Sequence, residues 1–390
     1  VGSPLEGVLV LDLSRVLAGP FCTMMLADLG ARVVKVEHPV DGDVTRGWGP
    51  PYHEPTRLSA YYLSVNRNKE SIALDLSTPD GAESVRRLAR RADVLVENFP
   101  PGGLEKFGLS LSDLRRENPR LVTASVTGFG RVGPDATAPG FDLLAQAGAG
   151  FMAVTGTTEA GPTKAGIAVS DLLAGCYLAV GILAALTARA SSGRGAHVET
   201  DLFSATLGSL INVAQSVLMT GREAERFGNA HPQIVPYRTF HAADGAFVLG
   251  VGTDRQFERL AALLGRPEWI ADERLRTNDA RVTNRGTLEA ELESIFRRDT
   301  REAWVARCRA ADIPAGPVRG PLEALRSATA SALQSVIASR GVEFVASPIR
   351  VEGQPRRMEF PPALNADGER IRKEFDLPDS THDPRPATHD

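Results

Sequence analysis

The sequence predicts an α/β fold in which a large domain with a mostly parallel sheet is joined to a smaller α+β domain. Three observations predict it. In the first half, short β-rich runs alternate with apolar-periodic helical segments, the pattern left by βαβ units. The helical segments carry the expected punctuation, Pro in the first turn and Gly just past the last. The chain is also 390 residues long, more than one ordinary core organises, so two or three domain-sized units are expected.

The elements follow in order. Gly7 to Leu13 (GVLVLDL) reads as a strand, Pro20 to Gly30 brackets a helix, and Ala31 to Glu37 (ARVVKVE) is a second strand. Ser71 to Leu76 is a strand, Thr78-Pro79 opens a helix to Arg91, and Asp93 to Phe99 and Leu121 to Thr127 are further strands. Arg86, Arg87, Arg90 and Arg91 form the solvated face of that helix. Between Thr127 and Ser170 the chain is rich in Gly, Ala, Pro and Thr. Loops of that length usually serve function, so this one is expected to line a site. Leu172 to Ala188 is uncharged, shorter than the ~20 residues that span a bilayer, and reads as a buried helix. A strand (Ala196 to Leu202) and one long helix (Phe203 to Gly221) complete a first domain over residues 1–222. Residues 223–236 read as a linker, 237–330 as the small α+β domain, and 331–378 as a return segment with one strand-like run, PIRVEG. Residues 379–390 are charged and apolar-poor, and read as a disordered tail.

Composition excludes several classes of function. Apolar residues make up 43% and charged residues 24%, as in folded soluble domains. Lys and Arg total 44 against 48 Asp and Glu, so there is no basic excess for a nucleic-acid backbone. Cys22, Cys176 and Cys308 are odd in number and scattered, which fits neither a disulfide framework nor a zinc site. Val1 to Leu9 shows no cationic run ahead of an apolar one, and the expected compartment is the cytoplasm. No two of the seven histidines share a helix-face spacing, so no metal is expected. After the first strand, SRVLAGPF keeps only Gly19 of a dinucleotide-binding turn, and there is no P-loop, GxSxG or HExxH.

Carboxylate chemistry remains. Asp171 opens the apolar helix after the small-residue loop GIAVS. It reads either as a carboxylate facing the helix dipole or as a covalent nucleophile toward an activated acyl group. Both readings want it ionised. Glu97 to Gly102 (ENFPPG) sits at the carboxyl end of a strand, where open α/β sheets place ligands. In GDVTRGWGPP, Arg46 offers a guanidinium and Trp48 a flat apolar wall to a substrate acid. Gly252, in the GVGT run after a later strand, allows close backbone approach.

The segments RVLAGP (15–20), DLGARVVKVEHP (28–39), GDVTRGW (42–48), NRNKESIALDL (66–76), ENFPPG (97–102), GFDLLAQ (140–146) and VSDLLAG (169–175) stand in one order along the chain. In that order and spacing the chain resembles the class III coenzyme A transferase family, which includes formyl-CoA transferases, succinyl-CoA-dependent dicarboxylate transferases and α-methylacyl-CoA racemases. The resemblance implies a Rossmann-like large domain, a homodimer of two interlocked rings, acyl-CoA and carboxylate substrates, and no metal, membrane or nucleic-acid partner. It places the nucleophile on Asp171. It places CoA contacts on Val16, Leu17, Ala18, His38, Leu74, Asp75, Asn98, Phe99, Pro100, Lys106, Phe107, Pro139, Gly140, Phe141 and Asp142. His38 stands where the family commonly has Arg and Pro139 where some members have Lys, which leaves Arg15 and Lys106 as phosphate-binding substitutes. The racemase branch needs a histidine base where this chain has Phe141, so acyl transfer is favoured over inversion. The transfer implied runs through an aspartyl mixed anhydride and an aspartyl-CoA thioester, with oxyanions met by backbone N–H groups near Gly140 or Gly252.

Overall fold

The computed structural model describes residues 2–378, so the predicted tail at 379–390 lies outside the described residues. The chain forms two compact units. The first comprises 2–151, 164–222 and 329–378 among the described residues, and the second 152–163 and 223–328.

Six parallel strands form the sheet of the first unit: β1 (Leu9–Asp12), β2 (Arg32–Glu37), β3 (Lys69–Ala73), β4 (Val94–Glu97), β5 (Val122–Thr127) and β6 (His197–Asp201). Their order is β3-β2-β1-β4-β5-β6. The chain winds outward from β1 in one direction and then from β4 in the other. The carboxyl ends of β1 and β4 therefore flank a switch point, where the loops diverge and leave a crevice. Central strands are apolar on both faces, as a doubly covered sheet demands. Val10, Val33, Val96 and Ala124 face one cluster, and Leu11, Val34, Ile72 and Leu95 the other.

Helices α1 (Ala18–Asp28), α6 (Val169–Ser192) and α7 (Leu202–Gly208) supply the first cluster. Helices α3 (Pro79–Arg91) and α4 (Leu111–Glu117) supply the second, together with the late helix α12 (Gly368–Phe375). Two short helices, α2 (Ala60–Val65) and α5 (Asp142–Gly148), lie near the strand ends. The single helix expected over 203–221 is two: α7 and α8 (Ile211–Thr220) meet at 78°, with Ile211 at φ 41°.

The return segment closes the β3 edge without forming a strand, through two side chains and the Asp367 N–H, which donates to the Ser71 carbonyl at 3.0 Å. Asp367 accepts from the Ser71 N–H at 3.0 Å and Asn365 from the Ala73 N–H at 2.9 Å, which satisfies an otherwise open edge. Phe375 anchors it in the core, with the Arg91 guanidinium 4.5 Å from its ring centre. PIRVEG is not a strand; the hairpin of this segment is β10 (Val336–Ser339) with β11 (Val342–Val345).

The second unit holds an antiparallel sheet of β7 (Tyr237–His241), β8 (Ala246–Gly250) and β9 (Ala315–Pro317). Helices α9 (Asp254–Leu263), α10 (Arg285–Phe296) and α11 (Arg301–Ala310) cover an aromatic core of Phe240, Phe247, Phe296 and Trp304. Residues 152–163, expected in the first domain, belong here: Arg226 Nη1 donates to the Ala153 carbonyl at 3.0 Å and the Gly228 N–H to the Gly156 carbonyl at 3.0 Å. The expected linker is part of the same unit, with Val235 fully buried.

Phe375→Ala is expected to lower unfolding free energy by about 3 kcal/mol, the usual cost of emptying a buried aromatic site. Urea denaturation checks it; an unchanged midpoint would show that the return segment does not hold the sheet.

Candidate active site

β1 ends on Asp12, which is fully buried, and what surrounds it fixes the first loop of the site. Asp12 accepts from the Ser14 N–H (3.0 Å), the Thr23 hydroxyl (2.7 Å) and the Lys69 ammonium (3.0 Å). Lys69 also donates to the carbonyl of Pro20 and to Asn66. Lys35 pairs with Asp43 at 2.9 Å and donates to the Ser14 carbonyl at 2.8 Å. Glu37 pairs with Arg46 and accepts from the Asp43 N–H and the Ser71 hydroxyl. Three carboxylates and three cations thus balance in the interior. Burial alone would raise the Asp12 carboxyl, but Lys69 and Lys35 outweigh it and hold it at about 2.

Above this network runs the loop Arg15–Val16–Leu17. Val16 sits at φ 71°, a left-handed conformation costly for a β-branched residue, and its N–H points at Asp43. Asn98 clamps Arg15 from across the switch point: its side-chain oxygen accepts from the Arg15 N–H at 2.8 Å and its amide donates to the Arg15 carbonyl at 2.7 Å. Asn98 is thereby spent on the loop.

Against this loop lies a cavity of about 240 Å³ at the carboxyl ends of β1 to β4. Six residues singled out from sequence line it: Arg15, His38, Leu74, Asp75, Phe99 and Phe107. Phe99 and Phe107 meet edge-on at 6.3 Å, and the Arg15 guanidinium stands 5.1 Å from the Phe99 ring centre. An aromatic pair with an exposed cation suits a flat, anionic ligand. Pro100 and Lys106 are exposed and lie outside the lining. Leu17 and Ala18 are buried; with Phe21, Tyr61 and Ala168, Leu17 belongs to a small apolar cluster.

Asp171 is the third residue of α6 and half-buried. Helix α6 meets α1 closely because Gly175 has no side chain: a Cβ there would lie 2.7 Å from the Ala18 carbonyl oxygen and 3.0 Å from Phe21. The approach sets the uncapped start of α1 toward the Asp171 carboxyl, where the Ala18 N–H acts to lower its pKa. The start of α6 has no cap of its own; Asp142 supplies one from α5, accepting from the Ser170 N–H at 2.9 Å. Asp142 also accepts from Gln146 (2.6 Å), whose oxygen takes the Ala165 N–H (2.8 Å).

A carboxylate kept ionised by its helix was expected at Asp171, whereas its surroundings favour the protonated form. Burial first, and the neighbouring Asp142 second, raise Asp171 to about 7, and the Ala18 N–H only partly opposes them. Burial, not the dipole, decides.

Several candidate residues take other parts. The Arg46 guanidinium is turned inward, its Nε and Nη2 engaged by Glu37 (2.8 and 2.9 Å), the Tyr62 hydroxyl (2.6 Å) and the Pro362 carbonyl (3.2 Å). Asp142 works as a cap, and Gly140 packs backbone to backbone on Gly128, where a Cβ would lie 2.9 Å from the facing Cα. Pro139 is exposed at that rim, and Phe141 is 64% exposed. Gly252 lies in the second unit, where its N–H donates to Gln256 Oε1 at 2.9 Å in the cap of α9 and so is not a free oxyanion donor. Trp48 keeps its place as an exposed wall, edge-on to Tyr61 at 5.1 Å.

Tyr61 itself escaped sequence reasoning. Burial, then the charges of Asp171, Asp142 and Asp43, raise its hydroxyl to about 12, so it keeps its proton. The only trace in sequence is the Tyr61–Tyr62 pair, in which Tyr62 turns inward to Arg46.

A doubly wound α/β protein with a cavity at its switch point and a half-buried carboxylate at the start of α6 is the class that fold and site define. The family model for CoA-transferase family III matches residues 5–368. The succinate–glutarate CoA-transferase of Agrobacterium fabrum is 44% identical over 319 residues, covering 81% of this chain and 80% of that protein. The acetyl-CoA:oxalate CoA-transferase of Acetobacter aceti is 38% identical over 380 residues, 97% of each. Among solved structures, a CaiB/BaiF family protein from Brucella suis matches with a TM-score of 0.87 at 41% identity, covering 96% of this chain and all of that one. The chain belongs to CoA-transferase family III and is a CoA-transferase.

A raised carboxyl makes the ionised site a cost to folding. Since Asp171 rises from 3.8 to about 7 on folding, stability falls as pH increases through that window and stays low above it. Asp171→Asn is therefore expected to raise Tm at pH 8 and to have little effect at pH 4, as thermal unfolding at the two pH values would show. Gly175→Ala, which forces α6 off Ala18, is expected to cut turnover at least tenfold with circular dichroism unchanged.

Proposed function

We propose that this chain moves CoA from an acyl-CoA thioester to a free carboxylic acid through covalent intermediates on Asp171. The observation that carries the reading is the placement of this carboxylate, half-buried at the start of α6 where that helix closes on the start of α1 at Gly175. Asp171 attacks the thioester carbonyl, the C–S bond breaks, and CoA thiolate leaves a mixed anhydride. Thiolate then attacks the aspartyl carbonyl, the anhydride C–O bond breaks, and the donor acid departs from an aspartyl-CoA thioester. An acceptor carboxylate attacks that thioester and releases thiolate. Thiolate attack on the new acyl group then restores the Asp171 carboxylate.

Every step passes through an oxyanion. The Ala18 N–H, on the positive end of α1, is positioned to meet it, a contribution of ~3 kcal/mol per donor in comparable sites. Tyr61 stays protonated alongside and adds a second donor. The switch-point cavity takes the nucleotide end of CoA, with the adenine against Phe99 and Phe107 and phosphate near Arg15 and His38.

Dicarboxylates are the proposed acid class. The support comes from relatives named for succinate, glutarate and oxalate. Racemisation is disfavoured because Phe141 offers no second base. A homodimer is also proposed, since apolar side chains stay bare on α6 (Val180, 65% exposed) and α8 (Ile211, 74%; Leu218, 79%). The interlocked arrangement and a cytoplasmic location, consistent with three free thiols, belong to the same proposal.

Asp171→Ala is expected to lose at least about three orders of magnitude of transferase activity, and borohydride should trap an acylated aspartate only in the parent enzyme. Retained exchange of labelled acid into acyl-CoA in the variant would overturn the assignment. The kcat/KM for acyl-CoA should fall below pH about 7, where Asp171 takes up its proton. Asp142→Asn, which removes the neighbouring negative charge, should move this acid limb to lower pH; an unmoved limb would assign it to another group.

A further inference from the structure

The buried Glu97 has no part in the chemistry described, yet it touches the wall of the CoA cavity. Glu97 ends β4 and is 1% exposed. One carboxylate oxygen accepts from the Phe99 N–H at 2.7 Å, and the other from Arg131 Nη2 at 2.7 Å. Arg131 lies on the loop after β5, and the same nitrogen donates to the Ser125 hydroxyl at 2.8 Å. In register, Glu97 stands opposite Ser125 on β5, and Ser125 opposite Glu199 on β6. Two carboxylates thus share one row of the sheet. Arg131 bridges the row, its Nε 3.5 Å from Glu199.

We propose that Arg131 is a positioning residue for CoA binding, holding Glu97 ionised and oriented so that Glu97 fixes the Phe99 backbone and the loop that carries it. This rests on the placement of CoA in the switch-point cavity. Its physical basis is the cost of an unpaired buried charge. Without Arg131, Glu97 would keep its position only by taking up a proton, a change burial already favours. It would then be a weaker acceptor for Phe99 and a competing donor to Ser125. The consequence spreads through two short links. Phe99 presents its ring to Phe107 and to the Arg15 guanidinium. The adjoining Asn98 holds the Arg15 backbone in both directions. A shift of residues 97–99 therefore moves both the aromatic wall and the cation of the cavity.

Calorimetric titration with CoA, alongside kcat at saturating substrates and Tm, tests this. Arg131→Ala is expected to weaken CoA binding roughly tenfold, about the worth of one charge-assisted hydrogen bond, with kcat within about twofold. Arg131→Lys, which keeps the charge, should recover part of the affinity, and Glu97→Gln should weaken binding in the same direction with no change in size. Should Arg131→Ala fail to fold, Glu97→Gln carries the test. Phe99→Ala is the control for the cavity itself. If it leaves CoA affinity unchanged, the CoA placement is wrong and the inference falls with it. If it weakens binding while Arg131→Ala and Glu97→Gln do not, the positioning role alone is overturned. A parallel loss of affinity, kcat and Tm would mark a purely structural pair and would also overturn it.

Discussion

The site depends on a buried, balanced set of charges beneath the first loop. Asp12, Glu37 and Asp43 are matched by Lys35, Lys69 and Arg46, and each of the six is joined to another of opposite sign or to backbone. Such a set adds little net stability over an apolar core, but removing one member leaves a bare charge inside, at a cost of ~3–5 kcal/mol. Its value here is geometric. The charges end on backbone atoms of Ser14, Pro20 and Asp43 and on the N–H of Val16, and so hold the loop before α1, including the strained Val16.

From that loop the rest of the geometry follows. A fixed loop sets the start of α1, and with it the Ala18 N–H. Gly175 lets α6 approach that point, and Asp142 caps α6 from a third helix. Asp171 is thus placed by three elements distant in sequence. The loop from β4 is tied to the same frame by Asn98, so the switch-point cavity and Asp171 rest on one construction.

The architecture was largely legible in the sequence because strand periodicity and helix punctuation are local signals. The boundaries of β2 and β5 fall within a residue of expectation, whereas β3 begins at Lys69, two residues before the apolar run that signals it. Asp171 was legible as a helix-start carboxylate and Phe99 as part of a strand end, while Phe107 came only from the family resemblance. The part played by Arg46 was not. Its partners lie 9, 16 and 316 residues away, and a guanidinium beside Trp48 reads the same whether free or engaged. Nor was Asp142 legible as a cap, since its partner is 28 residues distant. The kink between α7 and α8 and the hairpin at 336–345 were missed because apolar pattern alone does not mark where a helix bends or which run in a polar segment pairs.

Within the proposed cycle, the raised Asp171 carboxyl is more than a by-product of burial. Free Asp171 is the state in which this oxygen bears a charge; in the mixed anhydride and in the aspartyl thioester it bears none. Burial and the nearby Asp142 oppose the charged state, and the change from 3.8 to about 7 sets a ceiling of about 4 kcal/mol on that opposition. Whatever part of it survives solvent screening brings the covalent intermediates closer in energy to the resting enzyme, and it does so equally in both halves of the reaction. The Ala18 N–H does not cancel this gain. A single donor at a helix start stabilises the resting carboxylate modestly, but the oxyanions formed on either side of it concentrate charge on one atom and gain more from the same contact. A site that held Asp171 as firmly ionised as Asp12 would bury an equally good carboxylate and a much poorer nucleophile.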